Sequence, residues 1–476
     1  MDGFARKTKI VCTVGPACDS PDAMRLLAES GMNVMRFNFS HEDAAAHRAR
    51  ITRLNEVNES LAQKVAVLLD TQGPEIRTGP VKDNAKVQLV EGSEVIVTNK
   101  FCESTPQRIY MTYEKIPQRV SKGMSILVAD GNFELEVLET DGSSEVTCKV
   151  IVGGMLGSRK NVGIQGMDVD LPTLTERDIE LLKVGVDCGA DFVAQSFVRT
   201  PDDVLELMEL LHENGSDAAI IAKIEDPTGV ANLDKIIAAS DGVMVARGDL
   251  GVQTPLEQVP RVQKTIIKKC NSAGKPVIVA THMLESMITN PRPTRAEATD
   301  VANAVYDGAD AIMLSGETAV GKYPLKALQT MALIATEAEK TLEFKGLEPG
   351  PLPLSHSVST AIDRASCQLA LDLGASAIIT PTSKGFTPRS VSKNRPRASI
   401  IALTPDVRVQ RKLALVWGVE ALKYPSAVNS ENMMIEAVKA AKESGLVQSG
   451  QTVIVTAGIP LGATGSTNTL RVQVVE

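Results

Sequence analysis

The stretch AIIAKIE, residues 219–225, decides how this chain reads. Ile220, Ile221 and Ile224 are apolar and β-branched, the pattern of a short strand buried on both faces. The strand ends in Lys223 and Glu225. Side chains two apart on a strand point to one face, so an ammonium and a carboxylate leave an apolar strand side by side. Burying either alone is costly. Two readings are open here: a structural ion pair, or a catalytic lysine beside a metal-binding carboxylate.

Working outward, the same unit recurs. Upstream stand a helix at 176–188, a strand at 191–198 and a helix at 202–213. Downstream, a helix at 229–239 leads to GVMVARGDLG (242–251) and one at 257–273 to PVIVATH (276–282). A helix at 295–307 then leads to AIMLSGET (311–318), and a last helix covers about 324–343. At the start, TKIVCTV (8–14), NVMRFNFS (33–40) and VAVLLDT (65–71) alternate with helices at 22–30 and 44–63. Eight strand–helix pairs in about 240 residues predict a (β/α)8 barrel.

Two stretches interrupt that rhythm. Between 72 and 170, period-two runs such as KVQLVEGSEVIVT predict an all-β insertion, as a small barrel or sandwich. GLEPGPLPLSH (346–356) reads as a linker to a further α/β unit, which carries the loops PTSKGFTPR (381–389) and GATGST (462–467). The expected division is barrel 1–71, insertion 72–170, barrel again 171–345, and a carboxyl-terminal α/β domain 346–476.

Bulk composition excludes several classes. The chain has 476 residues and a net charge of −8, which argues against nucleic acid as a partner. Aromatic content of 3% leaves little for stacking bases. No apolar run is long enough for a membrane helix or a secretory signal. The seven cysteines are scattered, with no C-x-x-C, which points to reduced thiols in a cytoplasm.

Barrel active sites lie at the carboxyl ends of the strands. Strand two ends with Arg36, Asn38 and Ser40 on one face. Strand three ends with Asp70 and Thr71, and strand five with Lys223 and Glu225. Strand six ends with Arg247, Gly248 and Asp249, strand seven with Thr281 and His282, and strand eight with Ser315 and Glu317. Arg36 and Lys223 suit a phosphate. Glu225 and Asp249 are hard oxygen ligands for Mg²⁺ or Mn²⁺. Asn38, Ser40, Asp70 and Thr71 offer oxygens to a weaker cation. Phosphoryl transfer fits this set, because it needs positioning and charge more than a nucleophile on the protein. GETAVGKY (316–323) imitates a phosphate loop, but Tyr323 stands where Ser or Thr should bind the metal.

At these residues the chain resembles the pyruvate kinase family. The resemblance is carried by TKIVCTVGPA, GMNVMRFNFSH, LLDTQGPEIRTG, VMVARGDLGV, KPVIVATHMLESMI, PTRAEATDVANAVYDGADAIMLSGETAVGKYP and the ending TNTLRV. It implies a barrel, an inserted lid and a regulatory carboxyl-terminal domain, usually assembled as a homotetramer. A long amino-terminal extension and an extra carboxyl-terminal phosphohistidine-like domain are not expected. The implied reaction passes a phosphoryl group from phosphoenolpyruvate to ADP, with Mg²⁺ (or Mn²⁺) and K⁺.

By the same resemblance, Arg36, Lys223, Gly248, Asp249 and Thr281 hold the substrate, with Arg36, Lys223 and Thr281 catalytic. Glu225 and Asp249 bind the divalent metal, and Asn38, Ser40, Asp70 and Thr71 bind K⁺. Asn38, His41, Arg77 and Lys160 contact the nucleotide, and Asp130 closes over the cleft. Thr382, Ser383, Lys384, Gly385 and Thr387 receive a phosphorylated allosteric effector, opposite GATGST. Ile459-Pro460-Leu461 replaces the Trp-Arg segment of some eukaryotic forms, which makes fructose bisphosphate a weaker expectation. Family members with Glu at position 75 tend to need potassium, and those with Lys do not. Departures stand at Gln72, His282, Asp226-Pro227 and the lid return SRKNVGIQGMDVDLPTLTERD.

Two other readings compete. One is a metal-dependent pyruvate-enolate lyase on a TIM barrel, which needs neither a lid nor an Arg36–Lys223 pair. The other is an inactive metabolite sensor, which predicts loss of Lys223, Glu225 or Asp249; all three are present.

Overall fold

The structure is a computed structural model and describes residues 6–167, 170–342, 358–425, 430–459 and 467–476. Eight parallel strands close into a barrel, each beside its neighbour in sequence. They are Lys9–Thr13, Val34–Asn38, Ala66–Asp70, Phe192–Gln195, Ala219–Ile224, Gly242–Ala246, Val277–Ala280 and Ala311–Leu314. The strands are buried along their length, because the helices cover one face and the barrel interior the other. Val11, Leu68, Ile221, Met244 and Met313 pack inside, while residues between them meet the helices.

Several elements end earlier than the sequence pattern suggests. The sixth strand stops at Ala246, and Arg247–Gln253 is a helix, so Gly248 and Asp249 sit in a helical first turn rather than on a strand. The eighth strand likewise gives way to a helix at Gly316–Ala319. The stretch expected as one helix over 229–239 is two, Pro227–Ala231 and Leu233–Ala239. Asn232 separates them, its side chain turning to donate to the Arg199 carbonyl at 2.9 Å. Ser40 also lies beyond its strand, in a turn where its N–H donates to Asn38 Oδ1 at 3.1 Å.

The insertion leaves after the third strand. Six of its strands form one sheet, in the order Val162–Ile164, Ser125–Val128, Phe133–Thr140, Glu145–Val152, Glu94–Thr98 and Arg108–Tyr110. Residues 76–79 hydrogen-bond to both edges of that sheet. On one side the Val162 N–H donates to the Ile76 carbonyl and the Thr78 N–H to that of Lys160; on the other the Gly79 N–H donates to the Tyr110 carbonyl and the Thr112 N–H to that of Arg77. The insertion is thus a small barrel closed by two isolated bridges, around its own apolar core of Val97, Ile109, Leu135 and Val146.

Asp178 ties the two chain crossings into this insertion. Its buried carboxylate accepts from the N–H groups of Gln72 and Gly73 at 2.7 and 3.1 Å. It also accepts from the N–H and hydroxyl of Thr175 at 3.1 and 2.6 Å, as the capping partner of the helix Glu176–Asp187.

The carboxyl-terminal unit is a five-stranded sheet in the order Val419–Lys423, Ser399–Thr404, Ala377–Pro381, Thr452–Gly458 and Thr467–Val474, the last antiparallel. It packs under the amino-terminal face of the barrel. Lys9 Nζ donates to the Val419 carbonyl at 2.7 Å, Lys7 Nζ to those of Pro396 and Ala398, and Arg411 pairs with Asp191 at 2.9 Å. The linker 346–356 and most of the second loop, 462–467, lie outside the described residues.

Candidate active site

Strand register assembles the centre. Asn38 lies beside Asp70, and the fourth strand places Ser196 between the third and fifth. Lys223 Nζ is 2.9 Å from Asp70 Oδ1, 2.9 Å from Glu225 Oε1 and 2.6 Å from Ser196 Oγ. Arg36 Nε donates to Asp70 Oδ2 at 2.5 Å, and its Nη1 to Thr13 Oγ1 at 2.9 Å. One buried carboxylate therefore holds both cations. Burial alone would raise the Asp70 carboxyl, but Arg36 and Lys223 outweigh it and hold its pKa below the usual range. Burial would likewise lower Lys223, yet Asp70, Glu225 and Asp249 hold its ammonium above its ordinary value. The lysine is charged throughout the physiological range.

Ser196 and Thr13 are absent from the sequence-level site. Ser196 is fixed by Thr71, whose hydroxyl accepts the Ser196 N–H at 2.9 Å and whose carbonyl accepts its hydroxyl at 2.6 Å. The polar pair Gln195-Ser196 at the end of an apolar strand was the signal for it. Arg247, counted at the rim, turns away. It donates to the Thr281 carbonyl at 2.7 Å and pairs with Asp300 at 2.7 Å. Glu317 is buried and accepts from the N–H groups of Leu284 and Ser315, bracing the loops after strands seven and eight.

The divalent-metal candidates fit such an ion. Glu225 Oε2 accepts the Phe197 N–H at 2.6 Å, while Oε1 faces Lys223 without accepting a hydrogen bond. Asp249 lies beyond it, its carboxyl pushed up to about 7 by burial, then by Glu225, Glu75 and Asp130. That crowding of carboxyls is what a divalent cation relieves. No cluster of three or more His, Cys, Asp or Glu residues able to hold a metal occurs among the described residues. A two-carboxylate site completed by substrate oxygens and water suits Mg²⁺.

Thr281 sits at φ 65° and His282 at φ 55°, a left-handed pair that is costly for a β-branched residue. This turn aims the Thr281 hydroxyl at helix Arg247–Gln253, where it accepts the Gly248 N–H at 2.8 Å. The two groups expected on the substrate carboxylate are thus adjacent, and here bonded to each other.

The nucleotide candidates spread between barrel and lid. His41 is exposed beyond the second strand. Arg77 and Lys160 lie at the mouth of the lid, where the Thr78 N–H donates to the Lys160 carbonyl and the Lys160 N–H to the Thr78 hydroxyl. Arg77 Nε donates to Glu75 at 2.6 Å, so a guanidinium already meets the Glu75 charge. Asp130, at φ 57°, is held at the lid tip by Asn161 at 2.7 Å. Among the monovalent-cation candidates, Asn38 accepts from Ser40, Thr71 serves Ser196, and Asp70 serves Arg36 and Lys223. The stretch 316–323 makes no open cradle, since its Gly321 backs onto the Glu317 carbonyl, 2.4 Å from where a Cβ would stand.

In the carboxyl-terminal unit, Gly385 adopts φ 78° and its N–H donates to Thr382 Oγ1 at 2.9 Å. Thr387 Oγ1 lies 2.9 Å from Thr467 Oγ1, which joins the two loops. Lys384 and Ser383 are exposed.

Comparison with known proteins agrees with this arrangement. The family profile described as pyruvate kinase, barrel domain, matches residues 5–328, and that for the pyruvate kinase alpha/beta domain matches 360–473. The pyruvate kinase of Geobacillus stearothermophilus is 49% identical over 473 residues, 99% of this chain and 80% of that relative. That of Bacillus licheniformis is 48% identical over the same shares. A crystal structure of a pyruvate kinase from Cryptosporidium parvum superposes with a TM-score of 0.92 at 37% identity, covering 99% of this chain and 96% of that one. These matches favour phosphoryl transfer over the enolate-lyase alternative, and the chain belongs to the pyruvate kinase family.

Proposed function

We propose that the rim residues divide between them the family's reaction, transfer of the phosphoryl group of phosphoenolpyruvate to ADP giving pyruvate and ATP. The carrying observation is the Lys223 ammonium, fixed among Asp70, Glu225 and Ser196 beside Arg36. Arg36 and Lys223 face the moving phosphoryl group and offset the charge spread over its oxygens. The Gly248 N–H and Thr281 hydroxyl exchange their mutual bond for the substrate carboxylate. The bridging oxygen–phosphorus bond breaks as an ADP oxygen bonds to phosphorus. The enolate left behind takes a proton at its methylene carbon from the Thr281 side, through water. Glu225 and Asp249 hold a divalent cation, which supplies positive charge where the phosphoryl and enolate oxygens gather negative charge. Asn38, Ser40, Asp70 and Thr71 hold K⁺. Asn38, His41, Arg77 and Lys160 contact the nucleotide, and 382–387 with Thr467 takes a phosphorylated effector.

Separate apolar clusters in barrel, insertion and carboxyl-terminal unit support the three-part division, with Leu171 packing on the insertion's cluster and the boundary at 346 lying outside the described residues. No helix among the described residues is long and apolar enough to cross a membrane.

The test is pyruvate release from phosphoenolpyruvate and ADP, read through a coupled dehydrogenase, with Glu225→Gln alongside. The parent protein is expected to turn over, and the variant to need at least about tenfold more Mg²⁺ for half-maximal rate. An unchanged Mg²⁺ requirement would remove Glu225 from the metal site.

The lid supplies a second test. Gly163 packs on the helix that carries Asp249, and a Cβ there would meet Val252 Cγ1 at 2.2 Å. Valine is stiff at χ1, so the lid must lift instead. Gly163→Ala is expected to lower kcat/KM for ADP by about ten- to a hundredfold, as misplacement by an ångström does, with the thermal midpoint nearly unchanged. Wild-type kinetics in this variant would mean that the contact has no part in closure.

A further inference from the structure

A pocket opens on the seam between the underside of the barrel and the carboxyl-terminal unit, at the end of the barrel away from the chemistry. Asn271 and Lys275 line it from the end of helix Val259–Ala273, Asp310 from the turn before the eighth strand. Arg389, Lys393 and Arg395 line it from helix Phe386–Lys393 and the turn that follows. Four of these six carry positive charge and one negative.

Most of that charge is committed. Lys275 Nζ donates to the carbonyls of Ile237, Ala238 and Ser240. Arg395 pairs with Asp310 at 3.1 Å, donates to Asn271 and Gly308, and lies 4.8 Å from the Trp417 ring centre. Its Nε is buried without an acceptor. Arg389 has still less: its guanidinium makes no hydrogen bond or ion pair among the described residues. Burial lowers its pKa below the ordinary guanidinium value, opposed by the carboxylate of Asp241, which already accepts the Ile220 N–H. Arg389 is half-buried, so its donors reach the pocket without a protein acceptor. An oxyanion suits them, because its oxygens match the fixed fork of guanidinium donors.

We propose that the open mouth of the seam pocket binds a tetrahedral phosphate group, free or as the end of a phosphorylated metabolite, with Arg389 as its main ligand and Lys393 beside it. The site is separate from the loop at 382–387. Helix Phe386–Lys393 begins at that loop and ends in the pocket, so the bound phosphate clamps one helix to the barrel and the loop at its far end together.

The experiment is thermal unfolding of the full chain with Mg²⁺ and phosphoenolpyruvate but no ADP, so that the catalytic site is filled. Inorganic phosphate and glycerol 3-phosphate are titrated separately against chloride at matched ionic strength. At least one of them is expected to raise the midpoint by about 2 °C. A response to inorganic phosphate assigns the free ion, and a response to the ester alone assigns a metabolite. The shift should vanish in Arg389→Gln and persist in Arg389→Lys and in Lys384→Ala. No shift with either probe, an undiminished shift in Arg389→Gln, or loss of the shift in Lys384→Ala each overturns the proposal.

Discussion

Lys223→Met should lower turnover by about a thousandfold or more, a change of about 4 kcal/mol in the barrier. Methionine keeps the length of the stem and removes the charge. The structure adds a stability effect to this expectation. Lys223 serves Asp70, Glu225 and Ser196 at once, and its loss leaves buried carboxylate oxygens without their cation. Breaking such a buried pair costs about 3 kcal/mol or more. Arg36 still holds Asp70 in the variant, and Mg²⁺ compensates Glu225, so the barrel is expected to fold with a lowered midpoint. Turnover is therefore measured well below that midpoint, with far-ultraviolet circular dichroism confirming a folded chain. A folded variant within tenfold of the parent rate would sink the role given to Lys223. The stability loss should grow when Mg²⁺ is removed, because Glu225 then has no cation at all.

Much of this centre was legible because a barrel fixes where chemistry can sit. Once eight apolar strands were found in register with eight helices, only their carboxyl ends needed reading, and Arg36, Asp70, Lys223 and Glu225 lie there together. Strand ends failed where the chain changed conformation early. Asp249 belongs to a helix, and no periodicity distinguishes a buried RGDLG strand from a buried helical turn. Arg247 has the same charge as Arg36 and the same kind of position, yet it braces Thr281. Only the presence of Asp300 across the gap decides this, and that contact spans 53 residues of sequence. Asp178 was illegible for a related reason. As the third residue of a capping box it looks local, while its second use, holding the other lid crossing, is visible only in three dimensions.

Withdrawing K⁺ in favour of a bulky organic cation is expected to lower the activity of the unmodified chain by at least about tenfold, and Glu75→Lys to remove most of that dependence. The reason is a charge balance at the cleft. Asp70, Glu75, Asp130, Glu225 and Asp249 are carboxylates that act on one another or on the same two cations, Arg36 and Lys223. Arg77 adds one more positive charge through its pair with Glu75. With Asp249 ionised, as a bound divalent cation keeps it, five negative against three positive leave −2, before an anionic substrate and an anionic nucleotide arrive. A divalent cation cancels that excess and no more. At an effective dielectric near 20, each uncancelled charge about 4 Å away acts with roughly 4 kcal/mol, so a further monovalent cation matters. Glu75→Lys moves the balance by two units and supplies an ammonium next to the site. It also takes away the partner that orients Arg77, so the KM for ADP should rise in the variant. The decisive quantity is therefore the ratio of rates with and without K⁺ at saturating ADP, which this side effect leaves untouched. That ratio should collapse towards one in Glu75→Lys. Full activity of the parent protein without K⁺ would show that Arg77 alone already answers the charge of Glu75.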